Sequence, residues 1–189
     1  PVMDDGYKDF ALEKLGNHKA AGPYSGGKYS VYEGGTRTPF ITRWKGHIPS
    51  GVSDEMVCTI DLAASFASMV EVELPAEACI DSFNVSAALL GEMNAKGREH
   101  LIQQDNGSSG TFGLRVGDWK LQRHSRKSSR NRIVEQQLAN TKVPEFQLFN
   151  LAKDPAEKNN VIEKYPEVAE AMKQKLNIQI VAGRSRFDE

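Results

Sequence analysis

Residues 26–40 read Gly26-Gly27-Lys28-Tyr29-Ser30-Val31-Tyr32-Glu33-Gly34-Gly35-Thr36-Arg37-Thr38-Pro39-Phe40, so that two glycine pairs bracket a short strand-like run. No other stretch constrains the chain as much. A glycine pair lets backbone approach backbone or a ligand closely, because no Cβ stands in the way. Lys28 opens the run, and a lysine beside such a pair can present a point charge to an anion.

Composition narrows the rest. The chain has 189 residues, enough for one domain or two small ones with a real core. Its 24 Lys and Arg against 25 Asp and Glu leave a net charge of −1, which exerts no global pull toward nucleic acid or an anionic membrane. No apolar run approaches the ~20 residues needed to span a bilayer. The start, Pro1-Val2-Met3-Asp4-Asp5-Gly6, has no basic segment, no apolar stretch and no initiating Met. It does not read as a signal peptide, and the chain is expected to be a piece of something longer. Cys58 and Cys79 form no CxxC, which argues against a zinc knuckle or redox motif; two buried thiols are expected.

The first 27 residues are polar and Gly-punctuated, a long loop with one helical turn around Lys8 to Leu15. Phe40-Ile41-Thr42-Arg43-Trp44 predicts a strand, residues 47–51 a turn, and Val57-Cys58-Thr59-Ile60 a second short strand. Asp61 is placed to cap a helix whose Leu62, Phe66, Met69 and Val70 share one face. A helical patch over Val85 to Leu90 interrupts a loop-like region. Beyond Gly97 the texture changes. Strands are predicted over 100–104, 112–116, 119–122 and 146–151, with a hairpin turn at 105–110 and another turn at Gly117-Asp118. That is an antiparallel meander rather than a βαβ pattern. A last helix opens at Pro166 and ends before Gly183, with Val168, Met172, Leu176 and Ile180 as its apolar stripe.

Three segments, in order, carry a family likeness. Glu33-Gly34-Gly35-Thr36-Arg37-Thr38-Pro39-Phe40 resembles the second signature of the sulfatases, in which a lysine shortly before the Glu-Gly-Gly run contacts the sulfate. Leu114-Arg115-Val116-Gly117-Asp118-Trp119-Lys120-Leu121 resembles that family's strand pair. Residues 148–160, LFNLAKDPAEKNN, are similar to its LYNLxxDPxExxN segment. The resemblance covers nearly the whole chain and identifies it as the C-terminal part of a sulfatase.

The resemblance implies an α/β, alkaline-phosphatase-like parent. Residues 1–95 would close its large domain. Residues 96–189 would form an α+β C-terminal subdomain, a small antiparallel sheet packed by the C-terminal helix. It implies hydrolysis of a sulfate monoester by a formylglycine nucleophile, with calcium held by hard oxygen ligands. Lys28 would be one of the cations on the sulfate. His18, on the loop leading to Lys28, is a candidate substrate contact or an ordinary surface histidine. The implied partners are a sulfated small molecule or glycan and a missing N-terminal catalytic portion, with no membrane and no nucleic acid. Periplasmic or extracellular placement is implied as well.

The departures are as informative. Neither cysteine stands in a C/S-x-P/A-x-R motif, so no formylglycine precursor is present, and the chain is expected to begin just after the family's late metal-binding pair. No metal ligand or resident cofactor is therefore expected here, and the chain alone should be inactive. Asp4-Asp5 and Asp105-Asn106-Gly107 repeat metal-binding letters in the wrong places; the second is what a turn needs. Arg37 reads as a structural partner of Glu33. The basic run 123–132 reads as a solvated loop. Two other functions stay open: a non-catalytic glycan- or nucleic-acid-binding module using that run, and a phosphonate or phosphodiester hydrolase of the same superfamily.

Overall fold

The structure, a computed structural model, describes residue 14 and residues 16–19, 21–105, 110–125 and 144–187. The helical turn read around Lys8 to Leu15, Asp4-Asp5, the tip of the 105–110 turn and residues 126–132 of the basic run fall largely or wholly outside them. The chain divides into two compact units, Pro1–Thr38 with Ile102–Gln174, and Pro39–Leu101 with Lys175–Glu189.

The first unit is built on an antiparallel sheet. Among the described residues it has the order β1-β2-β3-β4, with β1 over His100–Gln104, β2 over Phe112–Val116, β3 over Trp119–Arg123 and β4 over Phe146–Asn150. Gly117 takes the left-handed φ of 53° that the tight β2–β3 turn requires. Register places Leu114 opposite Leu121 and Leu121 opposite Leu148, all fully buried. Because side chains alternate, that row and Phe146 share one face. Phe146 receives the Lys173 ammonium from the C-terminal helix, 5.0 Å from its ring centroid, and Trp119 meets Tyr165 edge-on at 4.9 Å. The opposite face carries Gln122, Lys120, Gln147 and Phe149 and lies against Val31 and Tyr32. The outer edge of β4 is covered by its own continuation: Leu148 N–H donates to Asn160 Oδ1, and Val161 N–H to Leu148 O.

The predicted strand through the glycine pairs is not formed. Residues 28–32 turn, and a one-turn helix, α1, follows over Glu33–Thr36. A positive φ at Tyr29 and the return of Gly34 onto Ser25 prevent an extended run.

In the second unit α2 spans Leu62–Met69 behind a 3-10 turn at Thr59–Asp61, and α3 spans Ser86–Leu89. The predicted strands over 40–44 and 57–60 are absent, since no neighbouring strand offers either one a ladder. The predicted α2 face is also displaced. Phe66 and Val70 are 55% and 68% exposed, whereas Ala64 and Ser65 are buried. The choice is polar: Ala64 N–H donates to Ser82 Oγ, and Val85 N–H to Ser65 Oγ. Asp61 does not cap α2. Its buried carboxylate accepts from Cys58 N–H, Phe83 N–H and Arg98 Nη1. Both cysteines are free thiols, but Cys58 is half-buried and Cys79 exposed, not the buried pair expected.

The last helix, α4, runs Pro166–Ala182, with Gly183 at φ 66° ending it. Its buried line is Ala169, Met172, Leu176 and Gln179, rotated from the predicted stripe, whose Val168 and Ile180 are half-buried. The rotation follows Gln179, whose amide reaches the buried His100 ring.

Candidate functional site

Lys28 stands in a loop whose turn is closed by main-chain and serine hydroxyl hydrogen bonds. Ser30 Oγ donates to Gly27 O at 2.9 Å and accepts from Gly27 N–H at 3.2 Å, while Ser30 N–H donates to Gly27 O at 3.0 Å. Tyr29, between them, has φ 77°, a conformation that a bulky residue adopts only under constraint. Its ring lies beneath the Lys28 ammonium, 4.7 Å from nitrogen to centroid. Lys28 is half-buried.

The glycine pairs face each other across this loop. Gly34 N–H donates to Ser25 O at 2.8 Å. A Cβ on Gly34 would stand 2.5 Å from Ser25 O, and one on Gly35 would overlap Gly27 O and Ser30 O. Alanine at either place would force the two strands of the loop apart.

Beneath the loop lies a buried charge cluster. Lys120 Nζ is 2.8 Å from Glu33 Oε1 and 3.2 Å from Glu157 Oε1. Glu33 also takes Arg37 Nε at 2.5 Å, the pairing expected from sequence. Glu157 accepts Gln122 Nε2 on Oε1 and Glu33 N–H on Oε2, each at 2.6 Å. Lys120 is fully buried, and the two glutamates nearly so. Burial alone would raise the Glu33 carboxyl, but Lys120 and Arg37 outweigh it and hold it below the usual carboxylate range. Burial raises Glu157 and wins over the opposing pull of Lys120. The adjoining Tyr32 hydroxyl donates to Gln147 Oε1, and burial followed by the Glu157 charge pushes its pKa up to about 12. His124 Nε2 lies 3.0 Å from Oε1 of both Gln122 and Gln147, and burial lowers its pKa.

The cluster draws on all three motifs: Glu33 and Arg37 from the first, Lys120 from the second and Glu157 from the third. Residues 26–182, which contain all three, match the family described as N-sulphoglucosamine sulphohydrolase, C-terminal. The chain belongs to the sulfatase family.

Among its relatives is an N-acetylgalactosamine-6-O-sulfatase of Bacteroides thetaiotaomicron, 38% identical over 176 residues, 93% of this chain and 34% of that one. Arylsulfatase A of Homo sapiens is 30% identical over 160 residues, 78% of this chain and 31% of the enzyme. A structure solved in work on the metabolism of multiple glycosaminoglycans by Bacteroides thetaiotaomicron superposes with a TM-score of 0.81 at 36% identity, covering 94% of this chain and 36% of that one. The chain thus spans about a third of the length of these sulfatases.

The structure fixes Lys28 in the loop, while His18 is exposed in coil and takes no part in the bonds above. Among the described residues no three His, Cys, Asp or Glu come together as a metal cluster. Sequence reasoning missed Lys120 and Glu157, although both stood inside quoted motifs. The available signal was the presence of charges of both signs in each of the three separated motifs.

Proposed function

We propose that the whole protein hydrolyses a sulfate monoester and that Lys28 contacts the sulfate. The observation behind this reading is the loop itself: a half-buried lysine over the Tyr29 ring, in a loop whose Glu33 is tied into a buried charge cluster, in a chain that matches sulfatases over most of its length. A fixed ammonium stabilises negative charge that grows on the sulfate oxygens as the ester bond breaks, with no reorganisation at that moment. The names of the relatives suggest a sulfated amino sugar of a glycan as substrate. His18 is proposed as an outer contact to that substrate.

On this reading the nucleophile and the calcium ligands belong to polypeptide outside the chain, and the 189 residues alone turn over no sulfate ester. The parent fold is alkaline-phosphatase-like, with residues 1–95 in its large domain and 96–189 in its C-terminal subdomain. An exported protein, periplasmic or extracellular, is part of the proposal.

The test is steady-state turnover of N-acetylgalactosamine 6-sulfate by the whole protein. Lys28→Ala should lower kcat/KM by about 10²–10³-fold with an unchanged thermal midpoint. A loss under about threefold in a folded variant removes Lys28 from the reaction.

A further inference from the structure

Two consecutive residues, Ala156 and Glu157, hold both ends of the Lys28 loop. Ser25 Oγ donates to Ala156 O at 2.6 Å, at the start of the loop. Glu33 N–H donates to Glu157 Oε2 at 2.6 Å, at its end. Gly34 N–H closes the base onto Ser25 O at 2.8 Å. Glu157 itself adopts φ 55°, a conformation that L side chains hold only at a cost, and its N–H donates to Asp154 O at 3.1 Å. Both of its carboxylate oxygens are committed, Oε2 to the loop and Oε1 to Gln122 and Lys120. Lys120 in turn anchors Glu33, the residue whose N–H is held.

We propose that Glu157 is a positioning residue: its carboxylate, with the Ala156 carbonyl beside it, sets where the Lys28 ammonium stands. This rests on the reading of Lys28 as the sulfate contact. Glu157 lies beneath the loop and acts through it. A glutamine there cannot serve all three donors, because turning Oε1 to Glu33 N–H sets its NH2 against the Gln122 and Lys120 donors. Ser25→Ala removes the other anchor without leaving a buried charge, so it tests the same idea if Glu157→Gln fails to fold.

Two measurements decide it. In the 189-residue chain, amide exchange over residues 30–35 should accelerate by about tenfold in Glu157→Gln and in Ser25→Ala, the worth of one strong hydrogen bond, while strands 112–116 and 119–123 keep their protection. In the whole protein, Glu157→Gln should lower kcat more than it changes KM. Placed on Lys28→Ala it should add almost nothing, since both act through one ammonium. Unchanged loop exchange in both variants, or losses that multiply in full in the double variant, would overturn the inference. Normal turnover by Lys28→Ala would instead refute the sulfate contact itself, so the two failures are told apart.

Discussion

Lys120 shows how much a single side chain can decide. It is fully buried with two carboxylates against one ammonium, and the partly exposed Arg37 is the only further cation bonded to Glu33 among the described residues. Lys120→Met keeps most of the volume and removes the charge, leaving Glu33 and Glu157 facing each other in low dielectric. Breaking a buried pair in this way costs about 3–5 kcal/mol. Urea denaturation should show a loss of that size, and adding Glu157→Gln should recover part of it by removing one of the repelling charges. A loss under about 1 kcal/mol would mean that water reaches the cluster. Arg37 and Glu33 were legible as a pair because they sit one helical turn apart. Lys120 was not. A lysine in a strand reads as solvent-facing, and its burial depends on carboxylates 87 and 37 positions away in sequence, a separation no local pattern encodes.

At the level of elements, patterns with internal support survived and the two short alternating runs before residue 61 did not. The meander and α4 carried turn residues, period and caps that agreed with one another, and they stand where expected. The runs at 40–44 and 57–60 offered only a few alternating residues, too few to specify a ladder without a partner. In α2 and α4 the helix was right and its face was turned, because Ser65 and Gln179 needed buried hydrogen bonds that apolar periodicity ignores. The two helices should therefore answer mutation differently. Leu176 is 2% exposed, and Leu176→Ala should cost about 2–5 kcal/mol. Phe66→Ser, on the exposed face of α2, should stay within about 0.5 kcal/mol. Denaturant midpoints with an unchanged m-value check both, and equal losses would contradict the burial assigned here.

Over the whole molecule, acid should be the weak point. Burial lowers the pKa of His100, helped by nearby Lys175 and Arg98, and burial lowers that of His124 against its Gln147 bond. The folded chain then binds fewer protons than the unfolded chain between those lowered values and the unfolded histidine value of about 6.5. Stability therefore rises with pH across that window and is lost as pH falls through it. Glu33, whose pKa is lowered, extends the loss below the carboxylate range. Glu157, whose pKa is raised, works the other way, since its ionisation opposes folding as pH climbs through its folded value. The thermal midpoint should drop between about pH 7 and about pH 5, and His100→Asn with His124→Asn should flatten that slope. An undiminished slope would place the titration elsewhere. The family was legible at this scale because three motifs kept their order along the chain. How they meet in space was not, because order in sequence says nothing about which charges pair.

The anchors of the Lys28 loop lie 131 and 124 positions downstream of the residues they hold. At about 5–20 residues per second, a ribosome needs about 6–25 s to deliver them after the loop itself has emerged. Through that interval the glycine pairs can close only on each other, and a nascent chain halted before Ala156 would carry the lysine without the two downstream anchors.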